Sequence, residues 1–216
     1  MRILILCVAL FAAVPGHAAD FTGVRVEGRV GYDRLGLKLS GNGNSGSSGK
    51  DGVAYGVGIG YDIGLGSRFI VGGEADVDFA SGTQCARFNL NNQFCLGNKR
   101  DFEASGRVGY KFAGNPLIYI KAGYANARLP GLVSTIGLAG TSADSANKSG
   151  YRIGTGVEVA ISRMIYAKGE YRYTGYGTDI VAVANTATRI KLDRNQLIAA
   201  IGVRFFEVVK IQRQIL

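Results

Sequence analysis

Charged side chains fall at every second position along several stretches of this chain of 216 residues. Arg25, Glu27 and Arg29 alternate with Val24, Val26 and Val30, and Glu74, Asp76 and Asp78 alternate with Ala75, Val77 and Phe79. Side chains two apart on an extended strand share a face, so each triplet projects together. Carboxylates that share a face, as Asp76 and Asp78 would, are what general acid–base pairs use. The same spacing equally supplies partners for basic side chains across a sheet. The inward set read this way is Arg25, Glu27, Arg29, Glu74, Asp76, Asp78, Glu103, Arg107, Lys111, Lys121, Arg152, Glu158, Lys168, Glu170 and Arg172. Both signs are well represented. An interlocked network of ion pairs is therefore expected ahead of an acid–base site, with a narrow ion path lined by the same charges as the alternative.

Other chemistry is poorly supplied. His17 is the only histidine and lies in the N-terminal segment, so no His base is expected beside a Ser nucleophile. A Ser-Lys pair or a carboxylate could stand in, but nothing singles one out. The glycines from Gly56 to Gly60 lie within a strand pattern and do not form a phosphate loop. No enzyme activity and no cofactor are expected. Cys85 and Cys95 lie close in sequence, and in an exported protein they most simply form one disulfide inside one loop. Closing so small a loop removes about 2–3 kcal/mol of chain entropy. Two thiols without a nearby His are too few for a closed zinc site.

The elements that position these residues read as eight alternating strands, at 22–33, 51–62, 68–79, 100–112, 117–128, 150–161, 164–174 and 191–205. Short turns at 64–67, 113–116 and 162–163 alternate with long loops at 35–50, 80–99, 130–149 and 175–190. The loop at 35–50, with its GNGNSGSSGK run, is expected to be flexible. The charged face is the inner one, because a strand set that puts Val53, Tyr55, Val57, Ile59 and Tyr61 on one side and Ala54, Gly56, Gly58 and Gly60 on the other leaves its large apolar side chains outside. A soluble ligand-binding barrel needs the reverse. Eight strands, an even count and alternating short and long connections predict an all-β fold: an eight-stranded antiparallel transmembrane β-barrel, an up-and-down meander with short periplasmic turns and long extracellular loops. Thirty-three glycines, 11 tyrosines, 10 phenylalanines and no tryptophan suit a thin barrel wall with aromatic interfaces.

Arg2, the apolar run 3–14 and the small residues Gly16 and Ala18 read as a secretory signal peptide cleaved after Ala18, with Ala19 the other choice. Its apolar run is too short for a membrane helix. The expected organisation is therefore a signal peptide at 1–18, a barrel at 19–205 and a short tail at 206–216. A net charge of +9 favours attraction to polyanions such as lipopolysaccharide phosphates, or simply solubility. No nucleic-acid partner is expected.

The segments FTGVRVEGRVGYDRLG, GVGIGYDI, GRVGYKF, LIYIKAGYANARL and LIAAIGVRF together resemble the small outer-membrane β-barrel family. That family includes the OmpA membrane domain, the opacity proteins and the porin-like surface antigens of alphaproteobacteria. The resemblance spans essentially all of the chain after the signal. It implies a Gram-negative outer-membrane location and a structural or surface-interaction role, with some members reported as weak pores. The partners it implies are outer-membrane lipid and lipopolysaccharide, the barrel-assembly machinery, and a host or surface ligand at the loops. Phe205 matches the outward-facing aromatic of the assembly signal, although the chain continues past it and Ala200 stands where the pattern has Gly. No peptidoglycan-binding domain is expected after the barrel.

Overall fold

The computed structural model describes residues 21–41, 44–81, 83–89, 92–97, 100–112, 116–135, 141–183 and 186–205. Ten strands follow one another: β1 (Gly23–Gly41), β2 (Asn44–Leu65), β3 (Phe69–Ser81), β4 (Thr83–Asn89), β5 (Asn92–Gly97), β6 (Arg100–Lys111), β7 (Pro116–Thr135), β8 (Thr141–Ala160), β9 (Ile165–Val183) and β10 (Thr186–Phe205). All pairings are antiparallel, and the order β7-β6-β3-β2-β1-β10-β9-β8 closes on itself through β7–β8. These eight strands are the barrel wall. Closure leaves no unpaired edge in lipid, where an unsatisfied backbone group costs several kcal/mol.

The two remaining strands are a departure from the expected loop at 80–99. There β4 and β5 form a hairpin, with Cys85 and Cys95 as register partners. β5 pairs with residues 131–135 of β7, beyond the point where β6 ends its own pairing at Arg128. Leu129 and Pro130 fall in the gap between those two ladders. A proline, which has no N–H, is tolerated there.

The other three expected loops are also largely strand. β1 and β2 stay in register out to Gly41 and Asn44, straight through the glycine–serine run expected to be flexible. β7–β8 and β9–β10 likewise extend to Ser134–Thr141 and Val183–Thr186. The reason is physical. Apolar alternation is required only where one face meets lipid, whereas the hydrogen-bond ladder is made by backbone and propagates after the side chains turn polar. Pro116, expected in a turn, is the first residue of β7, a position that needs no ladder donor. Residues 113–115, the signal at 1–18 and the tail at 206–216 lie outside the described residues.

The turn from β2 to β3 places Gly66 at φ +71°, a conformation that favours glycine. Between β8 and β9, the Ser162 hydroxyl accepts from the N–H groups of Met164 and Ile165 at 3.3 and 3.1 Å.

The wall is apolar outside and charged inside. Ile120 is 66 % exposed and Ile201 60 %, while Arg172 and Glu158 are 0 % exposed. Val159, which has the parity of the exposed Tyr151, Ile153 and Ile161, is an exception and is buried. Aromatics mark two levels. Tyr55 stacks on Phe79 at 5.9 Å near one end, and Tyr110 contacts Phe69 and Phe112 at 5.2 and 4.8 Å near the other. From Phe69 to Phe79 is about 34 Å of strand. At a tilt near 40° that spans about 25 Å, the height of the apolar band in such barrels.

Candidate functional site: the charged lumen

The lumen is built from the even positions of β2, β3 and β8–β10 and the odd positions of β1, β6 and β7. Small side chains on β2 make the room. A Cβ on Gly60 would stand 2.6 Å from the Arg25 guanidinium, and one on Gly58 would stand 2.5 Å from an Asp76 carboxylate oxygen.

At the end nearest the short turns, Phe21, Ile70 and Leu117 form a buried apolar floor. Above it Asp62 accepts from three guanidiniums: Arg25 at 3.1 Å, Arg107 at 2.8 and 2.5 Å, and Arg204 at 2.7 Å. Glu158 bridges Arg107 and Arg204 at 3.0 and 2.5 Å. Arg204 also donates to the Phe21 carbonyl oxygen at 2.5 Å, which fixes the floor to the last strand.

The middle layer centres on Lys121. Its Nζ lies 2.5 Å from Glu74, 2.8 Å from Glu170, 2.9 Å from Glu103 and 3.6 Å from Asp76. Glu74 also pairs with Arg25, and Glu27 pairs with Lys168 while accepting from the Tyr166 hydroxyl at 2.8 Å. Tyr119 donates to Glu170 at 2.5 Å. Arg29 pairs with Asp76 and Asp78 at 2.5 and 3.0 Å, and Arg172 with Asp78 and Glu103 at 3.0 Å each. Glu74, Asp76 and Glu103 bring carboxylate oxygens within 4.8 Å of one another, a spacing a cation can use. The Lys121 ammonium is the cation they surround.

At the outer end Arg152 bridges Asp101 and Glu103 at 2.5 and 2.8 Å, and Arg194 bridges Asp33 and Asp101 at 2.6 and 2.5 Å. Among the described residues the buried charged side chains comprise ten carboxylates and nine cations. A near-balance of signs, with these side chains almost inaccessible to water, is the signature of a plug. A conducting path would leave its lining hydrated.

Fourteen of the fifteen residues read from sequence lie buried in this network. The fifteenth, Lys111, is half-buried at the end of β6 and makes no ion pair among the described residues. Asp33, Asp62, Asp101, Arg194 and Arg204 also lie buried in the network, outside the set read from sequence. Strand parity was the available signal. Asp62 has the parity of Gly56, Gly58 and Gly60, and Arg194 and Arg204 oppose Leu197, Ile201 and Phe205.

The family model for the outer membrane protein beta-barrel domain matches residues 3–205. The chain belongs to that family. It is an outer-membrane β-barrel surface protein of a Gram-negative cell. The 22 kDa outer membrane protein of Rhizobium leguminosarum bv. viciae is 31% identical over 176 residues, covering 79% of this chain and 77% of the relative. The 25 kDa outer-membrane immunogenic protein of Brucella abortus is 34% identical over 110 residues, 50% of this chain. That match spans about half of the Brucella relative, 48% of its length. Among solved structures, the attachment invasion locus protein of Yersinia pestis aligns at TM-score 0.48 and 11% identity, covering 86% of this chain and all (100%) of that one. Neisserial surface protein A aligns at TM-score 0.48 and 19% identity, covering 82% and 97%.

Proposed function

We propose that this outer-membrane barrel is a structural, surface-exposed protein, sealed along its axis, whose strand extensions and connections outside the membrane form its interaction face. The observation that carries the reading is the interlocked lumen, from the Asp62 node to the Arg194 bridge. A sealed barrel leaves its outer rim as the working surface. The Brucella relative's designation as an immunogenic protein supports an outward-facing role. On this reading the protein is not an enzyme and contributes to envelope integrity. Its partners are lipopolysaccharide and a host or surface ligand at the rim. The signal at 1–18 directs export, and Phe205, exposed at the end of β10, serves as the aromatic recognised by the barrel-assembly machinery.

The test is electrical. The chain from Ala19 onward, refolded into a planar lipid bilayer, is expected to pass no steady current. Reproducible openings, with an ion preference that changes when Glu74, Asp76 and Asp78 are neutralised, would instead make the protein a small diffusion channel.

The register of Cys85 opposite Cys95 supports the proposed disulfide across the β4–β5 hairpin. The hairpin adds no strand to the eight of the wall. Reduction, or deletion of residues 86–94, is therefore expected to leave the barrel inserted and resistant to unfolding in detergent, while the deletion alters binding to lipopolysaccharide or host surfaces. Collapse of the barrel in either case would show that the hairpin supports the whole fold.

A further inference from the structure

The closed wall opens at its outer rim. β8 and β9 share a ladder of ten residue pairs, from Ala160 opposite Tyr166 to Tyr151 opposite Gly175. Beyond that row β8 continues along β7, to Thr141 opposite Ser134, and β9 continues along β10, to Val183 opposite Thr186. Among the described residues no ladder joins β8 to β9 there. A bulge accounts for the split. The β9–β10 register steps from Gly175 opposite Asp193 to Thr178 opposite Lys191, so Tyr176 and Gly177 together face the single Leu192. Gly177 has φ +81°, a conformation that favours glycine. A bulge bends its strand and commonly ends its pairing. Just below it the two backbones are still close, since a Cβ on Gly150 would stand 2.2 Å from the Gly175 carbonyl oxygen.

Past the bulge each strand presents a backbone edge to the seam, over residues 143–147 of β8 and 179–183 of β9. Neither stretch contains proline, which would blunt it, and an open edge is a template for another strand. Beneath this seam the lipid-facing wall is hollow. Ile153 and Tyr173, register partners just below the last paired row, line an open apolar groove of about 520 Å³ with Val108, Ile120, Ala122 and Tyr171. The hollow arises where Gly106 stands opposite Ala122 in a surface otherwise built from Val, Ile and Tyr. β2 and β4 are also unpaired with each other. Below that seam, however, the register partners Tyr55 and Phe79 stack at 5.9 Å and project outward.

We infer that a second copy of this chain docks at the β8–β9 seam, with β8 of each copy pairing with β9 of the other outside the membrane and the two grooves facing each other within it. This rests on the reading above that the strand extensions stand outside the membrane.

Continuity with an existing ladder selects this occupant. β9 is the strand that β8 already pairs with lower in the wall, and a second copy supplies it again. Copies inserted in one membrane point the same way, so a closed dimer needs a two-fold axis along the membrane normal. That axis sets β8 of one copy beside the oppositely running β9 of the other, and the reverse, so all four edges are paired at once. Continuing the register of Tyr151 opposite Gly175 puts Asn147 opposite Asp179, and Asp144 opposite Ala182, of the second copy. No like charges then face each other across the ladder. In lipid, association depends on close packing, which the hollow at Gly106 and Ala122 permits.

The experiment is disulfide trapping between two differently tagged preparations of the chain from Ala19 onward, both in a C85S/C95S background, refolded together into phosphatidylethanolamine–phosphatidylglycerol vesicles. One carries N147C and the other D179C. Mild oxidation is expected to give a dimer holding both tags about tenfold more often than N147C mixed with S47C on β2, because pairing holds the two thiols at high effective concentration. A chain carrying N147C and D179C together should likewise form dimers. Native mass spectrometry of the wild type in detergent should show a dimer, and A122L should raise its dissociation constant about tenfold, as overpacking of a close contact does. A75L, on β3 across the barrel, should leave it unchanged. Slow gel mobility of unheated samples confirms that each variant is folded. A wild type that stays monomeric, equal trapping with S47C, a disulfide formed only within the doubly substituted chain, or an equal effect of A75L would each overturn the assignment. A failure of the sealed-barrel reading would appear separately, as steady bilayer current.

Discussion

Lys121→Met will destabilise the folded barrel by about 3–5 kcal/mol, the usual penalty for removing one partner of a buried ion pair. Methionine keeps most of the volume and deletes only the charge. Four carboxylates face Lys121 Nζ: Glu74, Glu103 and Glu170 within 2.9 Å and Asp76 at 3.6 Å. Each keeps another cation. Glu74 has Arg25, Glu103 has Arg152 and Arg172, Glu170 has Lys168 and Arg172, and Asp76 has Arg29. The loss is therefore that of one hub and not of four isolated pairs. Urea unfolding of refolded protein in detergent should show a lower midpoint with an unchanged slope. Adding Glu170→Gln should restore part of the loss, because it removes one surplus carboxylate and still accepts the Tyr119 hydroxyl. An unchanged midpoint for Lys121→Met alone would mean that water solvates the lumen, and the plug would have to be abandoned. Lys111→Met, half-buried at the end of β6, should stay within about 0.5 kcal/mol.

Much of this site was legible because lipid imposes a strict rule on sequence. Across the apolar band an outward side chain must be greasy, so any charge at the alternate position points inward, and Arg25, Glu74, Lys121 and Glu170 follow directly. Legibility failed at the ends of the band. Asp62 and Arg204 sit next to turns and termini, where a charge is ordinarily solvated, and only the continued parity of β2 and β10 marks them as inward. Phe21, two residues before β1, left no such trace, because an apolar residue ahead of a strand reads equally as floor, interface or chance. The outer strand extensions failed for the opposite reason. Residues 44–50 have no apolar face to read, yet the β1–β2 ladder runs through all of them. The β5–β7 pairing could not be read from local pattern at all, since it joins segments 35 to 43 residues apart through a register that only the closed wall defines.

The missed residue with the greatest expected effect is Asp62. One carboxylate there receives Arg25, Arg107 and Arg204, and a Cβ on Gly72 would stand 2.1 Å from its Oδ1, so the group is tightly enclosed. In Asp62→Asn the amide oxygen still accepts one guanidinium, but the amide N–H groups point donors at donors and the negative charge is gone. Arg25 retains Glu74 and Glu27, whereas Arg107 and Arg204 are left to share Glu158. A loss of about 3–5 kcal/mol is expected, comparable to that at Lys121 but placed at the floor. Position decides the second consequence. Arg204 holds the Phe21 carbonyl as well as Asp62, so releasing Arg204 loosens the apolar floor where the lumen meets the periplasm. Brief, infrequent openings in a planar bilayer, absent from the wild type, are therefore expected of Asp62→Asn. A variant as stable and as silent as the wild type would show that the three guanidiniums are balanced without Asp62, and that the floor is held by Phe21, Ile70 and Leu117 alone.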